Sequence, residues 1–118
     1  LNILINKIMT IKGIGIDIEE AQRFRRLPYK KNVGFYKRIF TEKEIRYCLT
    51  KSDPYPHFAA RFAGKEAVIK AVGGTVYQLK KIEILNAEDG QPTVKSRAGG
   101  KLSLAHTRNY ALAVALAL

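Results

Sequence analysis

The last nine residues, Tyr110-Ala111-Leu112-Ala113-Val114-Ala115-Leu116-Ala117-Leu118, alternate alanine with a larger side chain at every step. A period of two belongs to an extended strand, because successive Cβ atoms point to opposite faces. The run predicts a strand over 110–118, covered on both faces, whose alanine face is approached closely by the element packed on it. Two other segments also permit close approach. Residues 11–17 read as a strand in which Ile14 and Ile16, with Ile18 beyond, alternate with small or polar residues. Gly13 and Gly15 in it leave room for a backbone or a ligand. From His57 to Val72 the spacing is helical, with Phe58, Phe62, Ile69 and Val72 on a stripe and Ala59, Ala63 and Ala67 allowing tight packing. Gly73-Gly74 supplies the stop.

The remaining elements follow from local signals. Glu19 to Leu27 reads as a short helix halted before Pro28. Thr41-Glu42-Lys43-Glu44 has the form of a capping box and predicts a helix from Glu42 to about Thr50. Asp53-Pro54-Tyr55-Pro56 is a break. Lys81–Leu85 and Pro92–Ser96 read as strands joined by a turn at Asp89-Gly90. Lys101–His106 places Leu102, Leu104 and His106 on one face, and a turn at 107–109 leads into the last strand. The fold class is α+β, a small, largely antiparallel sheet packed on one long helix and shorter ones. Residues 9–118 form one domain, and Met9 is a natural start that makes residues 1–8 an N-terminal extension.

Composition narrows the partners. The 118 residues carry 21 Lys+Arg against 10 Asp+Glu, a net charge of +11 that asks for an anionic partner. Nucleic acid, a phosphorylated metabolite and an acidic protein all satisfy it. The single cysteine excludes a disulfide framework and a cysteine-based metal cluster, and points to a reducing cytoplasm. No apolar run approaches the roughly 20 residues that a membrane-spanning helix needs. Basic charge is densest from Arg23 to Arg38, which holds no acid and includes Phe24, Tyr29, Phe35 and Tyr36. Interleaved cations and aromatics suit a nucleic-acid surface, and equally a solvated face whose aromatics turn inward. Cys48, inside a predicted helix, reads as a small buried residue.

The chemistry should lie where carboxylates meet cations. Asp17 ends a predicted strand, where a buried charge needs a partner. It is either a turn or N-cap aspartate or a ligand for a hard cation such as Mg²⁺. Glu66 and Lys70 are four apart on one helix face. Such a pair is ordinarily a surface ion pair, yet Phe62 one turn earlier brings this face to the apolar stripe. A carboxylate that holds a metal beside a lysine that meets phosphate also suits phosphoryl transfer. His106, at the mouth of a hairpin, is either structural or a phosphate contact.

Taken together, these residues resemble a known family. Residues 13–20, Gly-Ile-Gly-Ile-Asp-Ile-Glu-Glu, and residues 61–71, Arg-Phe-Ala-Gly-Lys-Glu-Ala-Val-Ile-Lys-Ala, are similar to the two signature motifs of the holo-[acyl-carrier-protein] synthases. These are the small homotrimeric class of 4′-phosphopantetheinyl transferases. Residues 38–44 and Ser103-Leu104-Ala105-His106-Thr107 extend the resemblance across about 10–118. It implies transfer of the phosphopantetheine arm of coenzyme A to a serine of apo acyl carrier protein, with release of 3′,5′-ADP. Asp17 and Glu66 then match the Mg²⁺ ligands, and Lys70 the lysine at the reacting phosphates. Arg61, Lys65 and His106 match positions lining the coenzyme A site. Arg23, with Arg25 and Arg26 beside it, matches the basic helix that docks the carrier protein. Sites between subunits of a homotrimer are implied, with Glu66 taking the serine proton through a bound water in preference to His106. Neither nucleic acid nor membrane is implied as a partner; a small basic RNA-binding protein is the competing reading, and it leaves Asp17 and Glu66 without a role.

Two positions depart from the family pattern. Gly64 stands where alanine is usual, at a helix cost of roughly 0.5–1 kcal/mol. Between Val94 and Ser103 the chain is short, and Arg97-Ala98-Gly99-Gly100 reads as a tight connection bearing on the trimer contacts or the adenine pocket.

Overall fold

The computed structural model describes residues 10–74, 78–96 and 99–118. Among these the order is β1 (Gly13–Glu20), α1 (Ala21–Arg25), α2 (Val33–Ile39), α3 (Glu42–Leu49), α4 (Tyr55–Ala71), β2 (Glu83–Asn86), β3 (Pro92–Lys95), β4 (Lys101–His106) and β5 (Tyr110–Ala117). Short 3-10 turns at Tyr29–Lys31 and Leu79–Lys81 complete the described path. The extension expected over residues 1–8 lies outside the described residues, as do Arg97 and Ala98 of the expected tight connection.

Every strand pairing is antiparallel, but the strands form two sheets, β1-β5-β4 and the hairpin β2-β3. The last strand is as its alternation requires. Ala111, Ala113, Ala115 and Ala117 are buried against α4, and Ala63, Ala67 and Ala71 meet them from the helix. The close approach is tightest at β1. A Cβ added at Gly13 or Gly15 would overlap the backbone carbonyls of Ala71 and Ala67. Backbone has no rotamer by which to yield, so Gly15→Ala is expected to cost about 1–3 kcal/mol or more. A chemical denaturation midpoint within error of wild type would refute this packing.

The opposite face departs from expectation. It was to be covered, yet Ile14, Ile16 and Ile18 are 68, 59 and 63% exposed, and Leu112 and Leu118 join them. Residues facing each other across β1 and β5 share a face, and α4 occupies only the glycine and alanine side. No described element of this chain packs on the isoleucine side.

The second half of the core is aromatic. Phe24, Tyr36, Phe40, Phe58 and Phe62 pack together, and the Tyr36 hydroxyl donates to the carbonyls of Phe24 and Leu27, at 3.1 and 2.7 Å. These bonds hold α2, a helix that the sequence did not announce. Its first turn has no acid and no side-chain cap, and it persists through the buried Tyr36 and Ile39. The aromatics of the basic stretch therefore turn inward, which removes the stacking surface that an RNA reading needs.

Several boundaries moved for local reasons. β1 runs on to Glu20, because Glu19 and Glu20 still pair with Ala111 and Tyr110, and α1 shortens accordingly. Asp17 is thus inside a strand, and the turn or N-cap alternative falls. α4 begins at Tyr55, with Pro56 in the first turn where its missing N–H costs nothing. It ends as expected, with Gly73 and Gly74 at φ 96° and 71° and the Gly74 N–H donating to the Ile69 carbonyl at 2.9 Å. Gly64 has a packing reason: a methyl group there would lie 2.5 Å from Ile84 Cδ1, so glycine admits Ile84 to the helix surface.

Candidate active site

β1 is an edge strand, and α4 crosses its inner face with Gly13 at the level of Ala71 and Gly15 at that of Ala67. Two residues of strand advance about 6.6 Å and one helical turn about 5.4 Å. Asp17, next on the inner face, therefore sits about one turn earlier along α4. Lys70 reaches it from the helix flank. Its ammonium donates to Asp17 Oδ1 at 3.1 Å and to the Ile16 carbonyl at 2.9 Å, leaving its third donor to solvent. Glu66, half-buried, precedes Lys70 by one turn on the same flank. The structure thus brings Asp17, Glu66 and Lys70 to one edge.

Beyond the Lys70 and Arg23 pairs, carboxyl groups crowd that edge. Asp17 Oδ2 is enclosed and no N–H faces it, while the neighbouring Glu19 carboxyl lies within hydrogen-bonding reach of Asp17. Glu19, two residues along the same face, has its carboxyl pushed up from the ordinary 4.5 to about 7. Burial is the main cause, the neighbouring Asp17 adds to it, and Arg23 opposes it. An enclosed carboxylate oxygen that no N–H faces fits a hard cation. Among the described residues no three His, Cys, Asp or Glu side chains form a ligand cluster. A magnesium ion on Asp17 and Glu66 would therefore fill its shell with water and substrate oxygens, as that ion commonly does.

A second group forms around the start of α4. The rings of His57 and His106 meet edge to face, with centroids 4.6 Å apart. Arg61, one turn beyond His57, lies 4.0 Å over the Tyr47 ring and donates to Asn86 Oδ1 at 2.6 Å. Arg61 is buried, with Nε unpartnered, so its guanidinium is held and does not sweep through solvent. His57 was not singled out from sequence, and only its spacing of four from Arg61 could have flagged it. Its imidazole is pushed down from 6.5 to about 4, by burial first and then by His106, Lys51 and Arg61, with Asp53 opposing. Between those values the unfolded chain binds a proton that the folded chain refuses, so stability falls as pH drops from 6.5 towards 4. His57→Phe is expected to flatten that fall, read as urea midpoints at about pH 8 and about pH 4. An unchanged pH dependence would rule the histidine out as its source.

Two predicted contacts lie elsewhere. Lys65 is fully buried and does not face a substrate cavity. Its three donors are spent on Glu44 Oε1 at 2.8 Å and on the carbonyls of Leu79 and Ile82 at 2.9 and 2.6 Å. It points into the core because its position on α4 faces α3 and not the β1 edge. The capping box appears as expected, since Glu44 accepts from the Thr41 N–H at 2.8 Å, and its second oxygen accepts from the Ile84 N–H at 3.0 Å. Arg25 is also engaged within the chain, on Asp53 and the Arg108 carbonyl. Arg23 and Arg26 remain exposed, Arg23 beside Glu19 and over the Phe62 ring at 5.0 Å. Cys48 is buried, its thiol pushed up to about 12 chiefly by burial, and it is no nucleophile.

Comparison with known proteins identifies the family and the fold. Residues 13–115 match the family model of the 4′-phosphopantetheinyl transferase superfamily. The holo-[acyl-carrier-protein] synthase of Thermodesulfovibrio yellowstonii is 43% identical over 107 residues, covering 87% of this chain and 95% of its own length. That of Chlamydia felis is 46% identical over 122 residues, covering 93% of this chain and 99% of its own. Among solved structures, the holo-(acyl-carrier-protein) synthase of Bacillus anthracis in complex with CoA (3′,5′-ADP) superposes with a TM-score of 0.78 at 33% identity, covering 90% of this chain and 95% of that one.

Proposed function

The chain belongs to the 4′-phosphopantetheinyl transferase superfamily, in its holo-[acyl-carrier-protein] synthase class, and from that premise we propose a magnesium-dependent reaction at the β1 edge. The phosphopantetheine arm of coenzyme A passes to a serine of apo acyl carrier protein, and 3′,5′-ADP leaves. The observation that carries this reading is the enclosed Asp17 Oδ2, faced by no N–H and crowded by the Glu19 carboxyl, on an edge shared with Glu66 and Lys70.

Asp17 and Glu66 are the residues that would hold Mg²⁺, which when bound supplies charge neutralisation across the diphosphate. Lys70 has two donors fixed on β1 and turns its third towards an incoming phosphate oxygen. An ammonium already held in place stabilises developing charge without reorganising at the moment of reaction. We assign the serine proton to Glu66. His106 lies two strands from β1 and beside His57 at the start of α4, away from Glu66, which makes it the weaker candidate.

That separation, with the bare isoleucine face, supports a homotrimer with sites between subunits. Monomers rarely leave so large an apolar face open, and a neighbour seated on it would bring a second chain's residues to the β1 edge. Exposed Arg23 and Arg26 on α1, with the exposed lysines after them, suit an acidic carrier protein. His106 suits a coenzyme A phosphate directly, and the buried Arg61, held on Tyr47 and Asn86, adds its charge without contact, at a site in the cytoplasm. No helix among the described residues is long and apolar enough to cross a membrane.

The test is mass spectrometry of apo acyl carrier protein incubated with coenzyme A and Mg²⁺. A gain of one phosphopantetheine, abolished by a chelator and restored by Mg²⁺, is the expected result. An unmodified carrier rejects the activity, and a gain indifferent to chelation rejects the metal.

A further inference from the structure

We propose that Arg25 is a positioning residue, which fixes the β4–β5 turn beside His106, and that it makes no carrier-protein contact; this rests on the reading of His106 as a coenzyme A contact. The guanidinium lies at the end of α1 and is 22% exposed, and its Nη2 carries two donors. One goes to Asp53 Oδ2 at 2.6 Å and the other to the Arg108 carbonyl at 2.8 Å. Each acceptor belongs to a different part of the site. Asp53 precedes α4, and its other oxygen accepts from the Tyr55 N–H at 3.4 Å, where the helix that carries His57 and Arg61 begins. Arg108 is in the turn that directly follows His106.

α1 is tied to that turn at its other end as well, since the Ala21 N–H donates to the Asn109 carbonyl at 2.8 Å. A rigid single-turn helix held at both ends sets where the turn lies relative to the start of α4. His106 and His57 face each other across that gap. The neighbouring arginines do not share this role: Arg23 is paired with Glu19 on the surface, and Arg26 is exposed. Three basic residues within four positions therefore divide between an inward strut and outward charges, as expected when Asp53 and a turn carbonyl both lie within reach of one guanidinium nitrogen.

The experiment compares Arg25→Ala with Arg23→Glu and Arg26→Glu, using two readouts. The chain has only two histidines, so the His106 ring proton is assigned in NMR spectra by its persistence in His57→Phe. Arg25→Ala is expected to shift or broaden that signal in the substrate-free protein. It should also raise KM for coenzyme A roughly 10-fold, with KM for the carrier protein unchanged. Arg23→Glu and Arg26→Glu should raise KM for the carrier and leave the histidine signal alone. Arg25→Lys, whose single ammonium can also donate to both acceptors, should recover much of both effects, and Arg25→Gln, which loses the charge, serves if the alanine variant fails to fold. An unmoved His106 signal, or a rise in carrier KM matching that of Arg26→Glu, overturns the proposal. The NMR readout needs no substrate, so it stands apart from failure of the transferase reading.

Discussion

Glu44→Ala is expected to lose about 3–5 kcal/mol of folding stability, the cost of leaving a buried cation without its counter-ion. Both partners of the Glu44–Lys65 pair have side chains at 0% exposure, and no water route compensates the ammonium when the carboxylate is gone. The same substitution removes the acceptors of the Thr41 and Ile84 N–H groups, leaving only the Thr41 half of the capping box. Glu44→Gln, which keeps an acceptor but not the charge, should lose less. Replacing both residues, as Glu44→Gln with Lys65→Met, should recover much of the loss, since neither side chain then carries a charge to desolvate and the amide oxygen keeps one acceptor for the backbone N–H groups. Burial pushes the Lys65 ammonium below its ordinary value of 10.5, and Glu44 opposes that push. Between the folded and unfolded values the unfolded chain holds the extra proton, so stability rises with pH in that window. Removing Glu44 widens the window downward, so the alanine variant should regain stability as pH is raised. Denaturation midpoints across pH provide the check, and a loss below about 1 kcal/mol would show the pair to be solvated after all.

The second large effect concerns rate and not stability. Asp17→Asn and Glu66→Gln are each expected to slow carrier modification roughly 10²–10³-fold. Folding should be spared. The Asp17–Lys70 pair is about half open to solvent on the lysine side and contributes little. Asparagine at 17 also removes a negative charge from beside Glu19, so that carboxyl should return towards its ordinary range. Titration calorimetry with Mg²⁺ gives a readout independent of turnover, and both variants should bind the ion more weakly. Retained magnesium affinity with lost activity would move these residues from metal ligation to another role. Activity within about threefold of wild type would remove them from the reaction, since even one electrostatic contact is usually worth more.

What the sequence made legible was periodic or local. The Ala/Leu alternation, the Gly-rich first strand, the capping box at Thr41 and the glycine stop after α4 all act over a few residues, and each appears as expected. Asp17, Glu66 and Lys70 could be grouped because two lie on one helix face and the third is in the first motif. Contacts that span the chain were not legible. Lys65 meets a glutamate 21 residues away, and Arg25 an aspartate 28 away and a carbonyl 83 away. None of these separations leaves a periodic trace, so position within the resembling motifs had assigned both residues to ligands. α2 escaped notice because its cations dominate a pattern whose inward residues, Tyr36 and Ile39, are only two in number. The larger side chains of β5 misled in the opposite sense, since their face was expected to be covered and Leu112 and Leu118 are exposed. Hydrophobicity marks the face that must be covered, and it does not say by which chain.

The two halves of the interior differ in how they keep their shape. Around Tyr36 and Phe58 it is filled by rings, which can tilt and exchange packing as temperature changes. Between β1, β5 and α4 it is lined by glycine and alanine, whose side chains have no torsions to redistribute. The spacing between the Asp17 strand and the Glu66 helix is consequently a property of main chains in contact. Heating or hydrostatic pressure should loosen the aromatic half first. The separation of the two carboxylates would then stay nearly constant up to the point where the whole domain opens.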